Sequence, residues 1–135
     1  MILVVGGAGY IGSHLVKELV NTEEVVILDN LSTGFRSLVD SKAILVEGNL
    51  GDEAVLNEIF LKYPIKAVMH FAANSLVGES VQDPYKYYEN NVGATLTLLN
   101  TMLKHDVKNF IFSSTAATYG IPNVDMIDED QPTNP

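Results

Sequence analysis

The sequence predicts a doubly wound α/β fold, with five parallel strands in the order 3-2-1-4-5 and helices on both faces. Three observations predict it. Short aliphatic runs recur at 2–5, 24–28, 43–46, 67–71 and 109–113, nearly continuous in apolar character, as in strands buried on both faces. Helical patterns separate most of them, and strand–helix alternation builds a parallel sheet. A glycine-rich turn, Gly6-Gly7-Ala8-Gly9-Tyr10-Ile11-Gly12, joins the first run to the first helix.

The elements follow in order. A helix over 10–21 leaves the glycines. The second run ends at Asp29, and residues 30–42 read as a loop with at most a short helix. The third run precedes a helix over 52–63. Asp52 and Glu53 suit its positive N-terminal end, and Pro64 stops it. After the fourth run comes a long helix over 83–105. Asp83 is its N-cap and Pro84 its first helical residue. Tyr85, Tyr88, Val92, Leu96, Leu99 and Leu103 step by three or four, the spacing of one helix face. The stretch 120–135 holds Pro122, Pro132 and Pro135 with Asp125, Asp128, Glu129 and Asp130. It reads as solvated loop, without the ligand spacing of a metal site.

Composition narrows the function. At 135 residues the chain is one domain, within the usual ~100–200 residues. Acids outnumber bases 17 to 8, the net charge is −9, and the one arginine is Arg36. Nucleic acid and anionic membranes bind through Lys and Arg, so neither is an expected partner. Without cysteine there is no disulfide and no thiolate metal site. No apolar run approaches the ~18 residues of a membrane span. The N-terminus lacks the basic segment of a secretory signal. A cytoplasmic location is the expectation.

The glycine turn carries the chemistry. Gly7, Gly9 and Gly12 make G-x-G-x-x-G, with Gly6 adding a wider spacing, directly after a strand and opening a helix. A residue without Cβ lets a pyrophosphate approach the backbone. The helix N-terminus then offers free N–H groups and the positive dipole end. Gly12 is expected to let that helix pack closely on the sheet. Asp29 stands 17 residues after Gly12, near the ~20 expected for the acid that accepts the ribose hydroxyls. A carboxylate there repels a 2′-phosphate, which favours NAD over NADP. Two plainer readings stand beside these: a ligand-free turn, and an Asp29 that caps its own loop. His70 at a strand end reads as a hydrogen-bonded structural histidine. Asn90 and Asn91 inside a helix are costly by propensity and point to a specific bonding role.

The stretches 6–14, 29–34 (Asp-Asn-Leu-Ser-Thr-Gly), 70–73, 77–81 (Val-Gly-Glu-Ser-Val), 87–92 (Tyr-Tyr-Glu-Asn-Asn-Val) and 112–120 (Phe-Ser-Ser-Thr-Ala-Ala-Thr-Tyr-Gly) run in one order through the chain. Together they resemble the extended short-chain dehydrogenase/reductase family, and within it the enzymes that act on nucleotide-linked sugars. The resemblance implies a Rossmann-like domain and a tightly held NAD. Tyr10 and Ile11 would lie over the pyrophosphate. Asp29, Asn30, Ser32 and Thr33 would surround the adenosine ribose. Asn49, where the family usually has Asp, and Leu50 would flank the adenine. Phe71, Ala72 and Ala73 would line the groove, and Asn90 would reach it from the long helix. Val5 stands where a Thr is usual, and Ser75 where some members carry Lys.

The resemblance also implies 4-epimerisation of a UDP-hexose, by transient oxidation at carbon-4 and return of the hydride to the opposite face, in a homodimer. Thr115 would hydrogen-bond the sugar 4-hydroxyl; the plainer reading is a strand end with local side-chain bonds. The family's base is a Tyr four residues before a Lys. Here the six tyrosines are followed at that spacing by His14, Ala67, Glu89, Asn91, Val92 and Asn123. Residues 1–135 are therefore expected to be an incomplete dinucleotide-binding domain, inactive alone, with the UDP-sugar-binding part outside them. Ala116 and Ala117 cannot move protons, which favours epimerisation over dehydration. A fragment of a related nucleotide-sugar decarboxylase or dehydratase, and a non-catalytic NAD-binding module, are the alternatives.

Overall fold

Strand β1 (Ile2–Val5) is the middle of the sheet because all four of its side chains are apolar and buried. It lies between β2 (Val25–Asp29) and β4 (Ala67–His70), while β3 (Ile44–Glu47) and β5 (Phe110–Phe112) form the edges. The order is β3-β2-β1-β4-β5 with every pairing parallel, as predicted. The computed structural model describes residues 1–135. Val5 is in register with both Leu28 and His70, so the central strands end together at one rim.

The two-residue period of a strand sends alternate side chains to opposite layers. Leu3 and Val5 meet α2 (Glu53–Lys62) and α5 (Thr95–Lys104) through Leu56, Ile59, Phe60, Leu98 and Met102. Ile2 and Val4 meet Val16 of α1 (Tyr10–Leu19) on the other face. Burying each such side chain contributes about 1.5–3 kcal/mol. The edge strands depart from the expectation of burial on both faces. β3 is half-buried, and Ile111 and Phe112 of β5 stay half exposed, because each strand has a neighbour on one side only.

Local capping chemistry sets the helix starts. The Asp52 carboxylate accepts from the N–H groups of Ala54 and Val55, at 2.9 and 3.3 Å, and opens α2. Asp83 accepts from Lys86 N at 3.2 Å and opens α4 (Pro84–Tyr88). The expected helix over 83–105 is composite: α4 passes into a π-helical turn, Glu89–Ala94, and then into α5. A further helix, α3 (Val77–Gln82), precedes it and was not predicted.

The expected apolar face also needs correction. Tyr85, Tyr88, Val92, Leu96 and Leu103 are exposed, and Leu98, Thr101 and Met102 make the core contact. α5 carries two apolar stripes, with Leu99 between them, and packing against the sheet selects one. The loop after β2 holds a single 3₁₀ turn, Arg36–Leu38. Another, Ala116–Tyr119, follows β5, and no regular element comes after it. No helix is long and apolar enough to cross a membrane.

Candidate functional site

The glycines do different jobs. Gly6 has φ +80°, and a Cβ there would sit 2.7 Å from the Phe71 carbonyl carbon. At Gly7 it would meet the Ile27 side chain at 2.8 Å. At Gly12 it would lie 2.2 Å from the Gly6 carbonyl oxygen. Gly12 thus lets α1 close on the turn itself rather than on the sheet. Gly9 differs: the nearest atom to a Cβ there is 3.4 Å away, an ordinary contact. Packing requires glycine at three positions. At Gly9 the space that a side chain would fill belongs to two grooves that meet there.

Gly9 is also the N-cap of α1 and makes no side-chain cap. The first amides of a helix have no intrahelical acceptor, and here the cap supplies none. They stand with the positive dipole end at the junction of the grooves, an arrangement suited to an anion.

The first groove, about 650 Å³, runs from this turn across the end of β2 to the loop after β3. Asp29 is buried in its wall. Its Oδ2 accepts from Ala8 N and its Oδ1 from Leu31 N, both at 2.9 Å. Leu31 is held at φ +57°, in the left-handed region that a branched side chain disfavours. Asp29 therefore caps its loop and borders the groove at once. Asn30, Ser32, Thr33, Asn49 and Leu50 border it further along. Arg36 lies off the groove, in an ion pair with Glu47.

Phe71, Ala72 and Ala73 leave the end of β4 and form the opposite wall. The two asparagines of the π turn hold this segment. Asn90 Nδ2 donates to the Ala72 carbonyl at 3.0 Å and to Asn91 Oδ1 at 2.8 Å. Asn91 bonds both backbone groups of Asn74. A π turn changes the helical phase, and both neighbouring residues reach the same loop.

The second groove, about 640 Å³, lies on the other side of that segment. Tyr10, Ile11, Gly12 and Thr115 border it, with Ser113 and Ser114. Thr115 Oγ1 accepts from Ala117 N at 3.2 Å, the local bond of the plainer reading, which leaves its hydroxyl proton free to donate. His70 is buried beneath. Its Nε2 pairs with Thr95 Oγ1 at 3.2 Å, Phe110 and Phe112 pack on its ring, and Nδ1 has no partner. Burial pushes its pKa down.

Among the predicted cofactor residues, Gly7 alone borders neither groove. Sequence reasoning missed one polar cluster. Lys86 donates to Glu79 at 2.7 Å, and the Tyr87 hydroxyl lies 2.8 Å from the same carboxylate. Lys86 holds the Glu79 pKa down, and desolvation with the Glu79 bond raises that of Tyr87. Lys86 borders the first groove and Tyr87 the second. Their pairing depends on α3, which no sequence pattern announced.

A parallel sheet with a ligand groove at its carboxyl rim, meeting a glycine turn and a helix start, defines a dinucleotide-binding protein. The family model described as "NAD dependent epimerase/dehydratase family" matches residues 2–135, and the chain belongs to that family. The chain is 54% identical over 135 residues to a UDP-glucose 4-epimerase of Halalkalibacterium halodurans, covering 99% of this chain and 40% of that one. A UDP-glucose 4-epimerase structure from Brucella ovis in complex with NAD has TM-score 0.90 and 50% identity, over 99% of this chain and 41% of its own. One from Thermotoga maritima with UDP-glucose has TM-score 0.89 and 38% identity, over 99% and 44%. The chain thus spans about 40% of the length of the relatives it matches. NAD is the cofactor of this family, and the residues here fit it. Space is kept at Gly9, an uncapped helix start faces the groove, and a buried carboxylate stands beyond.

Proposed function

We propose that this chain holds NAD along the first groove and contributes part of a site for 4-epimerisation of a UDP-hexose. The observation that carries the proposal is Gly9, whose missing Cβ keeps open the junction of the two grooves at the start of α1. In this reading the α1 amides bind the pyrophosphate, with Tyr10 and Ile11 over it. Asp29, Asn30, Ser32 and Thr33 hold the adenosine ribose, and Asn49 and Leu50 flank the base. Phe71, Ala72, Ala73 and Asn90 form the wall leading to the second groove. When bound, NAD supplies a hydride acceptor that no side chain can provide.

Thr115 is the proposed catalytic residue of this segment, donating its free hydroxyl proton toward the sugar 4-hydroxyl. Ala116 and Ala117 beside it have no proton to move, which supports epimerisation over dehydration. The Tyr–Lys pair would lie outside residues 1–135, so these residues alone bind NAD without turning over sugar. The outward stripe of Tyr85, Tyr88, Val92, Leu96 and Leu103 is the proposed contact with a second copy in a homodimer.

The test is a chimera in which this chain replaces the matched segment of the Brucella ovis enzyme. It should interconvert UDP-glucose and UDP-galactose. Thr115→Val should lower kcat by at least ~100-fold with bound NAD unchanged. A chimera that binds NAD and leaves UDP-glucose untouched would refute the sugar assignment.

A further inference from the structure

The wall between the two grooves has no backbone support of its own. Phe71 N donates to Val5 O at 2.8 Å, and beyond it residues 72–74 make no backbone-to-backbone hydrogen bond. Peptide groups in such a segment need partners from elsewhere. Side chains of the composite helix supply them: Asn90 Nδ2 donates to the Ala72 carbonyl, and Asn91 bonds both backbone groups of Asn74. The rotation of that helix therefore decides where the wall stands.

Thr95 adds a third tie to the same stretch. Its Oγ1 lies 3.2 Å from His70 Nε2. This is the ring's only hydrogen bond, since Nδ1 has no partner. Thr95 is half-buried and borders neither groove. It stands three residues before Leu98 and seven before Met102, on the stripe that packs against the sheet. Thr97, the other hydroxyl in this turn, bonds its own helix at Gly93 O.

The three ties depend on the π turn. In an α-helix residues five apart lie about 140° apart around the axis. Asn90 and Thr95 are five apart, so a regular helix would turn one of them away from residues 70–74. The i→i+5 bonding of a π turn brings such a pair nearly into line. Glu89–Ala94 is that turn, and Thr95 follows it directly. The asparagines anchor the turn from within, and Thr95 anchors it from the far side.

We propose that Thr95 is a positioning residue of the dinucleotide site. Through its bond to His70 it holds the π turn in the phase that lets Asn90 and Asn91 carry the wall between the grooves. The proposal rests on the NAD reading above.

Thr95→Val keeps the volume and removes the hydroxyl, and Thr95→Ser keeps the hydroxyl. Calorimetric titration with NAD, well below each unfolding midpoint, measures the folded chain alone. A merely structural bond lowers the midpoint and leaves that Kd in place. Here the Kd of Thr95→Val should rise by at least about threefold, because the binding arrangement is less populated with one hydrogen bond fewer. Thr95→Ser should bind within about twofold of the wild type. In amide nitrogen–proton spectra the Asn74 signal should shift in Thr95→Val and return in Thr95→Ser, with the Val4 signal of the central strand unmoved. A Thr95→Val chain that binds NAD within about twofold of the wild type overturns the proposal, as does an unmoved Asn74 signal or a Thr95→Ser chain that restores neither. Failure of Thr95→Val to fold overturns it too, because the bond then belongs to the fold rather than to the site. Those results leave the NAD reading standing, whereas a wild-type chain that binds no NAD overturns both.

Discussion

Asn91 holds both backbone groups of Asn74 with one side-chain amide. Asn74 N donates to Asn91 Oδ1 at 2.8 Å, and Asn91 Nδ2 donates to the Asn74 carbonyl at 2.9 Å. The segment so held separates the two grooves. Asn91→Leu leaves two half-buried backbone groups without partners and should cost about 1–3 kcal/mol. Asn91→Asp keeps the bond from Asn74 N and should lose less. Denaturant unfolding of the three proteins measures both, and equal stability of all three would show the clamp to be idle.

Gly9 and Gly12 should separate binding from folding. Gly12→Ala places a Cβ 2.2 Å from the Gly6 carbonyl oxygen, overpacking that should cost about 1–3 kcal/mol. Gly9→Ala meets nothing closer than 3.4 Å and should melt close to the wild type. Its NAD affinity should nevertheless fall by at least ~10-fold, with Gly9→Val worse, because the side chain occupies the pyrophosphate approach. Unimpaired binding by Gly9→Val would remove the observation on which the functional proposal stands.

NADP should bind at least about tenfold more weakly than NAD, since Asp29 would face the extra phosphate with like charge. The arginine that might offset it is engaged with Glu47. Asp29→Asn should narrow the gap while destabilising the loop, because an amide NH2 donor replaces one of two carboxylate acceptors, each of which accepts a backbone N–H, and Leu31 sits in a strained conformation. Titration with both cofactors decides, and tighter binding of NADP by the wild type would overturn the role of Asp29.

His70 makes stability depend on pH. Burial lowers its folded pKa below the ordinary 6.5. Below that value the unfolded chain takes up a proton that the folded chain does not. Its contribution is full above pH 6.5 and is lost as pH falls toward the depressed folded value, at a slope of up to ~1.4 kcal/mol per pH unit. Thermal unfolding from pH 7.5 to 5 should show a steeper loss for the wild type than for His70→Gln. Parallel curves would mean that His70 protonates equally in both states.

Much of the site was legible because it is local. Asp52 and Asp83 cap helices that begin one residue later. The glycine turn reads directly as strand, turn and helix. Asp29 ends β2, 17 residues after Gly12, and parallel pairing of β1 with β2 brings its carboxylate to Ala8 N. The expense of asparagine within a helix marked Asn90 and Asn91 before any partner was known.

What the sequence by itself determined is the set of interactions whose partners are near in the chain or set by strand order: the sheet, the caps, the turn and its acid. Tertiary structure alone decided which apolar stripe of α5 is buried, since Leu96 and Leu103 are as apolar as Leu98 and only contact with the sheet tells them apart. It also decided which glycines packing requires. Gly6, Gly7 and Gly12 are required by Phe71, Ile27 and the Gly6 carbonyl, contacts fixed when the helix closes on the turn and the sheet assembles around it. Gly9 is the one of the four with room for a Cβ, because whether that place is filled by protein or kept clear depends on atoms that only the folded chain brings near.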